Sequence, residues 1–215
     1  MRPLIFALAM ALVTLAAAAS AAPIDEAVAA YERGDLVNAR KAFGQLSRQG
    51  VPAAHYNLAV MHLRGELPQA SPREALNLMT RAAEAGFVTA IFGLAQLHEL
   101  GQAGLHANLV EANRWYLRAA EAGSVDGQVA IATAYYLGRG TSKDAGQAAR
   151  WFRIAAQGGD VGAMYLYASM VESGDGIERD LKEARYWYGV AARHGDEAAP
   201  SKVKELDAKL SAPST

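Results

Sequence analysis

The sequence predicts an all-α protein made of repeated helix pairs, and three observations predict it. A glycine recurs at a spacing of about 36 residues, at Gly50, Gly86, Gly123, Gly159 and Gly195. A second glycine recurs inside each interval, at Gly65, Gly101, Gly138 and Gly174. Four residues suited to opening a helix, Ser71, Asn108, Asp144 and Asp180, stand at equivalent places after that second glycine.

The first helix of each repeat is legible from its apolar spacing. Ala54, Leu58 and Met61 match Ala90, Leu94 and Leu97, then Gly127, Ile131 and Ala134, then Ala163, Tyr167 and Met170. Steps of four and then three put each set on one helical face. A neighbouring position is alanine every time, at Ala59, Ala95, Ala132 and Ala168, and a side chain that small lets two helices approach closely. The inner glycine then ends the helix, where a residue without Cβ adopts the left-handed cap without strain.

The second helix opens by chemistry. Three residues after each N-cap come Glu74, Glu111, Gln147 and Glu183, so the spacing predicts four capping boxes, with Pro72 at the first helical position of repeat one. Ala75, Ala112, Ala148 and Ala184 begin a buried face that is expected to continue through Trp115, Trp151 and Trp187, with Leu78 in repeat one. Alanine pairs, from Ala82-Ala83 to Ala191-Ala192, precede the closing glycine. The predicted organisation is a shorter helix pair over 24–50 and four repeats at 51–86, 87–123, 124–159 and 160–195. A capping helix over 196–210, with Val203, Leu206 and Leu210 on one side, and a frayed tail at 211–215 complete it.

The first residues read as an export signal: Arg2, an apolar run from Leu4 to Leu15, then small residues from Ala16 to Ala22. Ala19-Ser20-Ala21 fits cleavage after Ala21, so residues 1–21 are expected to be removed and the product to reside in the periplasm or outside the cell. The apolar run falls short of the roughly 20 residues a spanning helix needs, so no stable membrane insertion is expected after cleavage. The composition, 52% hydrophobic and 20% charged, is that of a packed globular chain. Its 21 basic and 22 acidic residues give a net charge of −1, which argues against nucleic acid as a partner. The absence of cysteine excludes disulfides and a thiol nucleophile.

At these residues the chain resembles the Sel1-like repeat family, relatives of the tetratricopeptide repeat. Repeat four carries Gly174-Asp175-Gly176, Asp180, Ala184, Trp187-Tyr188, Ala191-Ala192 and Gly195; repeat three carries Gly138-Arg139-Gly140, Asp144, Ala148, Trp151-Phe152, Ala155-Ala156 and Gly159. Repeat one departs most, with Leu67 in place of the second loop glycine and no tryptophan. The resemblance implies an α-solenoid of antiparallel helix pairs whose concave surface, lined by first helices, binds other proteins. Exported bacterial members of the family are similar in acting as adaptors, some restraining a membrane sensor kinase. An open groove is also the opposite of the closed, water-excluding cavity that catalysis favours.

The lining positions correspond to positions 3, 6, 10 and 13 of each repeat. The candidates are Tyr56 and Leu63 in repeat one, and Phe92, Gln96 and Glu99 in repeat two. Asp126, Thr133 and Tyr136 follow in repeat three, and Tyr165, Ser169 and Glu172 in repeat four. The position-6 residues Tyr56, Phe92, Val129 and Tyr165 have a second reading as packing between repeats, which leaves position 13 as the better candidate for specificity.

No enzyme motif is complete. His98-Glu99 begins like a zinc-protease helix, but Gln102 stands where the second histidine belongs. His62 and His98 are equivalent positions, read as core substitutions, and no metal or cofactor is expected. Ser201 and Lys204 have the Ser-x-x-Lys spacing of penicillin-recognising enzymes without its companion motifs. The sequence thus points to a periplasmic protein–protein interaction scaffold without catalysis, regulating an envelope signalling or assembly system. A cell-wall or β-lactam hydrolase and a structural part of an envelope complex are the alternatives.

Overall fold

The computed structural model describes residues 23–211. The export signal at 1–21 and residues 212–215 lie outside the described residues. Eleven helices and no strand occur among the described residues. They are α1 (23–32), α2 (Leu36–Arg48), α3 (Pro52–Leu63), α4 (Pro72–Glu84), α5 (Val88–Leu100) and α6 (Leu109–Glu121). The series continues with α7 (Val125–Leu137), α8 (Ala145–Gln157), α9 (Val161–Ser173), α10 (Leu181–Arg193) and α11 (Ala199–Ser211). Consecutive helices pack against one another from α2 to α4 and from α6 to α11, the packing of the α-solenoid class.

The chain forms two compact blocks. The amino-terminal block runs to Leu94 and takes in Gln102–Gly104; the carboxy-terminal block comprises Ala95–Gly101 and everything from Leu105 onward. In the first, Ala39, Phe43, Ala54 and Met61 form a core with Ala27 and Leu46, joined by the partly buried Leu58 and Leu67. In the second, Ala132, Phe152, Tyr167, Ala168, Tyr188 and Leu206 belong to one continuous cluster. The invariant small position explains the pairing: Ala59, Ala95, Ala132 and Ala168 are all fully buried. Gly127 is needed for the same reason, since a Cβ there would lie 2.8 Å from the Ala120 nitrogen and 2.9 Å from the Ala119 Cβ.

The N-caps form as the sequence predicts. Ser71, Asn108 and Asp144 each accept the backbone N–H three residues on, and Asp180 accepts two, from Lys182 and Glu183. The reciprocal half of the capping box is corrected. The N-cap's own N–H donates to the preceding helix, from Asn108 to the His98 carbonyl (2.8 Å), from Asp144 to Tyr135 (2.9 Å) and from Asp180 to Val171 (3.1 Å). In repeat one the Ser71 N–H donates instead to His62 Nδ1 at 3.2 Å. The helix behind the N-cap reaches that donor first, which frees the N3 carboxylates: Glu111 pairs with Arg114 and Glu183 accepts from the Tyr167 hydroxyl.

The tryptophans also depart from the sequence expectation. Trp115, Trp151 and Trp187 are half-buried, and the residue after each, Tyr116, Phe152 or Tyr188, is the one that is buried. The indoles lie at the edge of the packed face, Trp187 edge-on to Tyr167 with ring centroids 5.7 Å apart and Trp115 under the Arg118 guanidinium at 4.3 Å. The closing helix α11 begins at Ala199, where the Asp196 carboxylate accepts the Ala198 and Ala199 N–H groups, and it is helical through Ser211.

Candidate partner-binding site

α7 and α9 are the first helices of repeats three and four. Each is held at its start by a side-chain cap, Ser124 on the Gly127 N–H and Asp160 on the Ala163 N–H. Each is stopped by a left-handed glycine, Gly138 or Gly174. Between these fixed ends Thr133, Tyr136, Leu137, Leu166, Ser169 and Met170 converge over Phe152 of α8 to line a cleft of about 200 Å³. Leu137 is 56% exposed and Leu166 42%, so the cleft has an apolar rim that the described residues leave uncovered. The Lys143 ammonium lies 5.5 Å from the centre of the Tyr136 ring.

Three of the eleven predicted residues, Thr133, Tyr136 and Ser169, therefore meet in one place. Leu137 and Leu166 escaped the sequence reading, although Leu166 left a signal. Its equivalents in the other repeats are Asn57, Gly93 and Ala130, so a large aliphatic residue there is peculiar to repeat four.

The two position-13 glutamates are engaged within the chain. Glu99 accepts from the Tyr116 hydroxyl at 2.6 Å and from Arg139 at 3.2 Å. Glu172 accepts from the Tyr188 hydroxyl at 3.0 Å and from Lys202 at 3.0 Å, with Lys209 at 3.6 Å. Burial first, and the adjoining carboxylate after it, push the Tyr116 hydroxyl well above the phenol range. Burial does the same to Tyr188, opposed by Ser169 and reinforced by Glu172. Both phenols remain donors, and hydrogen bonding to Glu172 raises Lys202. This pairing was also written in the sequence. The second-helix residues facing position 13 are Met79, Tyr116, Phe152 and Tyr188, opposite Leu63, Glu99, Tyr136 and Glu172. Glutamate occurs where tyrosine can donate to it, and nowhere else in the set.

Of the remaining candidates, Tyr56 packs on Phe87 with ring centroids 5.5 Å apart, and Tyr165 packs edge-on to Tyr188 at 5.0 Å. These contacts give position 6 a packing role. Phe92 is half-buried, Leu63 is exposed at the end of α3, and Gln96 and Asp126 are exposed.

His62, His55 and Ser201 each have a structural partner. His62 accepts the Ser71 N–H, and the buried His55 shares a 2.7 Å hydrogen bond with Ser47. The Ser201 hydroxyl donates to the Ala198 carbonyl, just ahead of α11. Among the described residues no group of three His, Asp or Glu side chains is placed to hold a metal ion. No helix among them is long and apolar enough to cross a membrane.

Stacked helix pairs with an uncovered cleft between first helices define a helical-repeat protein of the kind that presents a surface to partners. The family model of the Sel1 repeat matches residues 52–87, 88–124, 125–160 and 161–196, well over half of the chain, and the chain belongs to the Sel1 repeat family. It is 32% identical to a Sel1 repeat protein from Oxalobacter formigenes, with a TM-score of 0.72 over 79% of this chain and 49% of that one. The fold is also that of c5321, a protective antigen of uropathogenic Escherichia coli strains displaying an SLR fold, with a TM-score of 0.80 and 23% identity over 91% of this chain and 43% of that one. The chain thus spans less than half the length of either solved relative. No curated protein matches it in sequence. Sel1 repeats generally mediate protein–protein interaction, and members of the family are typically non-catalytic scaffolds.

Proposed function

We propose that this chain is an exported, non-catalytic adaptor that holds a segment of a partner protein in the cleft between α7 and α9. The observation that carries the reading is the cleft itself. At about 200 Å³ it is smaller than the roughly 300–1,000 Å³ of small-molecule sites and suits one large side chain, the way a partner's anchor residue enters a pocket. Its rim supplies apolar contact through Leu137 and Leu166 and hydroxyls through Thr133, Tyr136 and Ser169. Export rests on the residues around Ala19-Ser20-Ala21. Cleavage there leaves 20 basic and 22 acidic residues, because only Arg2 is removed (21 − 1 = 20), and such a chain has no charge-driven attraction to the anionic membrane surface.

The test is a crosslinking pull-down from periplasm and membranes with the wild-type chain and the Leu166→Asp variant. Leu166 is already part-exposed, so the variant folds, and one partner is expected to be retained by the wild type and lost by the variant. Equal capture by both would refute the cleft. Export is checked by the mass of chain recovered from the native host: a product beginning at Ala22 is expected, and a full-length product would refute it.

A further inference from the structure

The amino-terminal block contains a second, larger cleft with a different chemistry, and its cause lies in the loop of repeat one. In repeats three and four the residue two past the helix-ending glycine is Gly140 or Gly176, with φ of 67° and 73°. Each lies directly on the start of the preceding second helix, where a Cβ would meet backbone atoms of Leu109 or Ala145. The equivalent residue in repeat one is Leu67. It has no left-handed backbone, Ala103 being the one non-glycine among the described residues that does, and its side chain packs into the core. The loop therefore cannot lie down on α2, and a cleft of about 690 Å³ remains between the loop and the helix.

α2 faces this cleft with Arg40, Lys41 and Arg48, all exposed, around Gly44. No acidic residue lines it, and none of the three cations forms an ion pair among the described residues. The unpaired set is local to α2: α4 places Leu76, Asn77 and Glu84 at the equivalent positions, and in α10, where Arg185 and Arg193 recur, Arg185 is paired with Asp207. In a chain of net charge −1 this concentration of positive charge is not a by-product of composition. Val37, 72% exposed, and the partly buried Leu58 add apolar wall.

We propose that this cleft is a second docking site, for an extended acidic segment of a partner protein with two carboxylates four residues apart and an aliphatic residue between them. The spacing follows from geometry. Arg40 and Arg48 stand eight residues apart on one helix, about 12 Å along its axis, and side chains four apart on an extended strand are about 13 Å apart. Arginine pairs with carboxylates through two parallel hydrogen bonds, which gives such a site direction as well as charge. A protein segment fits better than the other polyanions. Nucleic-acid binding draws on six to ten phosphate contacts in typical cases, against three cations here, and a recess with apolar walls is not the flat basic face that meets a membrane surface. The inference does not depend on the Tyr136 cleft.

The purified chain is panned against a random twelve-residue peptide library, and the most enriched peptide is labelled and titrated by fluorescence anisotropy. Three variants are titrated alongside: R40E with R48E, Gly44→Leu and Leu166→Asp. A Cβ at Gly44 meets only the end of Arg48, at 3.7 Å, so leucine fills the cleft without disturbing the helix and keeps all three cations. Enrichment of peptides with paired acids is expected, with binding weakened at least tenfold by the first two variants and unchanged by the third. Loss with Leu166→Asp would assign the peptide to the other cleft. No enrichment, enrichment without acidic residues, binding indifferent to the first two variants, or variant-sensitive binding only to phosphatidylglycerol vesicles or single-stranded DNA would each overturn the proposal.

Discussion

Replacing Gly176 by alanine separates the two demands that this fold makes of a loop glycine. Gly176 has φ of 73°, where a side chain costs about 1 kcal/mol. The added Cβ would also press on the carbonyl carbon and oxygen of Ala145 and lie 2.6 Å from its Cβ. Ala145 is the first residue of α8 and cannot yield, so the loop must lift by about an ångström, and strain of this kind adds about 2 kcal/mol. Gly123 is the control: φ is 91°, and no atom lies within 4 Å of the Cβ position, so only the first cost applies. At about 3 °C per kcal/mol for a chain of this size, thermal unfolding followed by circular dichroism should fall about 3 °C for Gly123→Ala and about 9 °C for Gly176→Ala. Equal shifts would refute the close approach, and with it the explanation of why Leu67 opens a cleft in repeat one.

Tyr188→Phe should cost about 1–2 kcal/mol, because Glu172 loses a buried donor, and should increase hydrogen exchange in α11, whose Lys202 and Lys209 share that carboxylate; unaltered exchange would mean that the network does not hold the closing helix. His55 gives a pH dependence. Burial, and after it the charge of Arg81, lowers its pKa from 6.5, so the unfolded chain takes the proton first. Its contribution is complete above about pH 6.5 and is lost as the pH falls from there toward the lower folded value. Melting curves at about pH 7.5 and 5.5 should show a smaller acid loss for His55→Gln than for the wild type, and parallel losses would exclude His55 as the cause.

The fold was legible because its signals are local. A glycine that must be left-handed, or a side chain that caps a helix, acts within a few residues of itself, and Gly138, Gly174, Asp144 and Asp180 do as the sequence predicts. The errors came where a neighbour from another element competes. The Asp144 N–H goes to Tyr135 of the preceding helix instead of back to Gln147, and Phe152, not Trp151, takes the interior. For the site, periodicity placed Thr133, Tyr136 and Ser169 on one face but gave Glu99 and Glu172 the same standing as Tyr136. Only the facing helix shows that tyrosines claim those carboxylates. Leu166 was hidden because its position holds no large aliphatic residue in the other repeats, and the cationic cleft because it depends on a loop path.

Photo-crosslinking from single positions in the native host decides whether a partner sits in the α7–α9 cleft. A benzophenone side chain is placed at Leu166 in the cleft and, separately, at Tyr186, which is 58% exposed on α10 and lies outside it. A discrete adduct with one protein is expected from position 166 and none from position 186. An adduct from position 186 alone would place the partner elsewhere and contradict the cleft assignment.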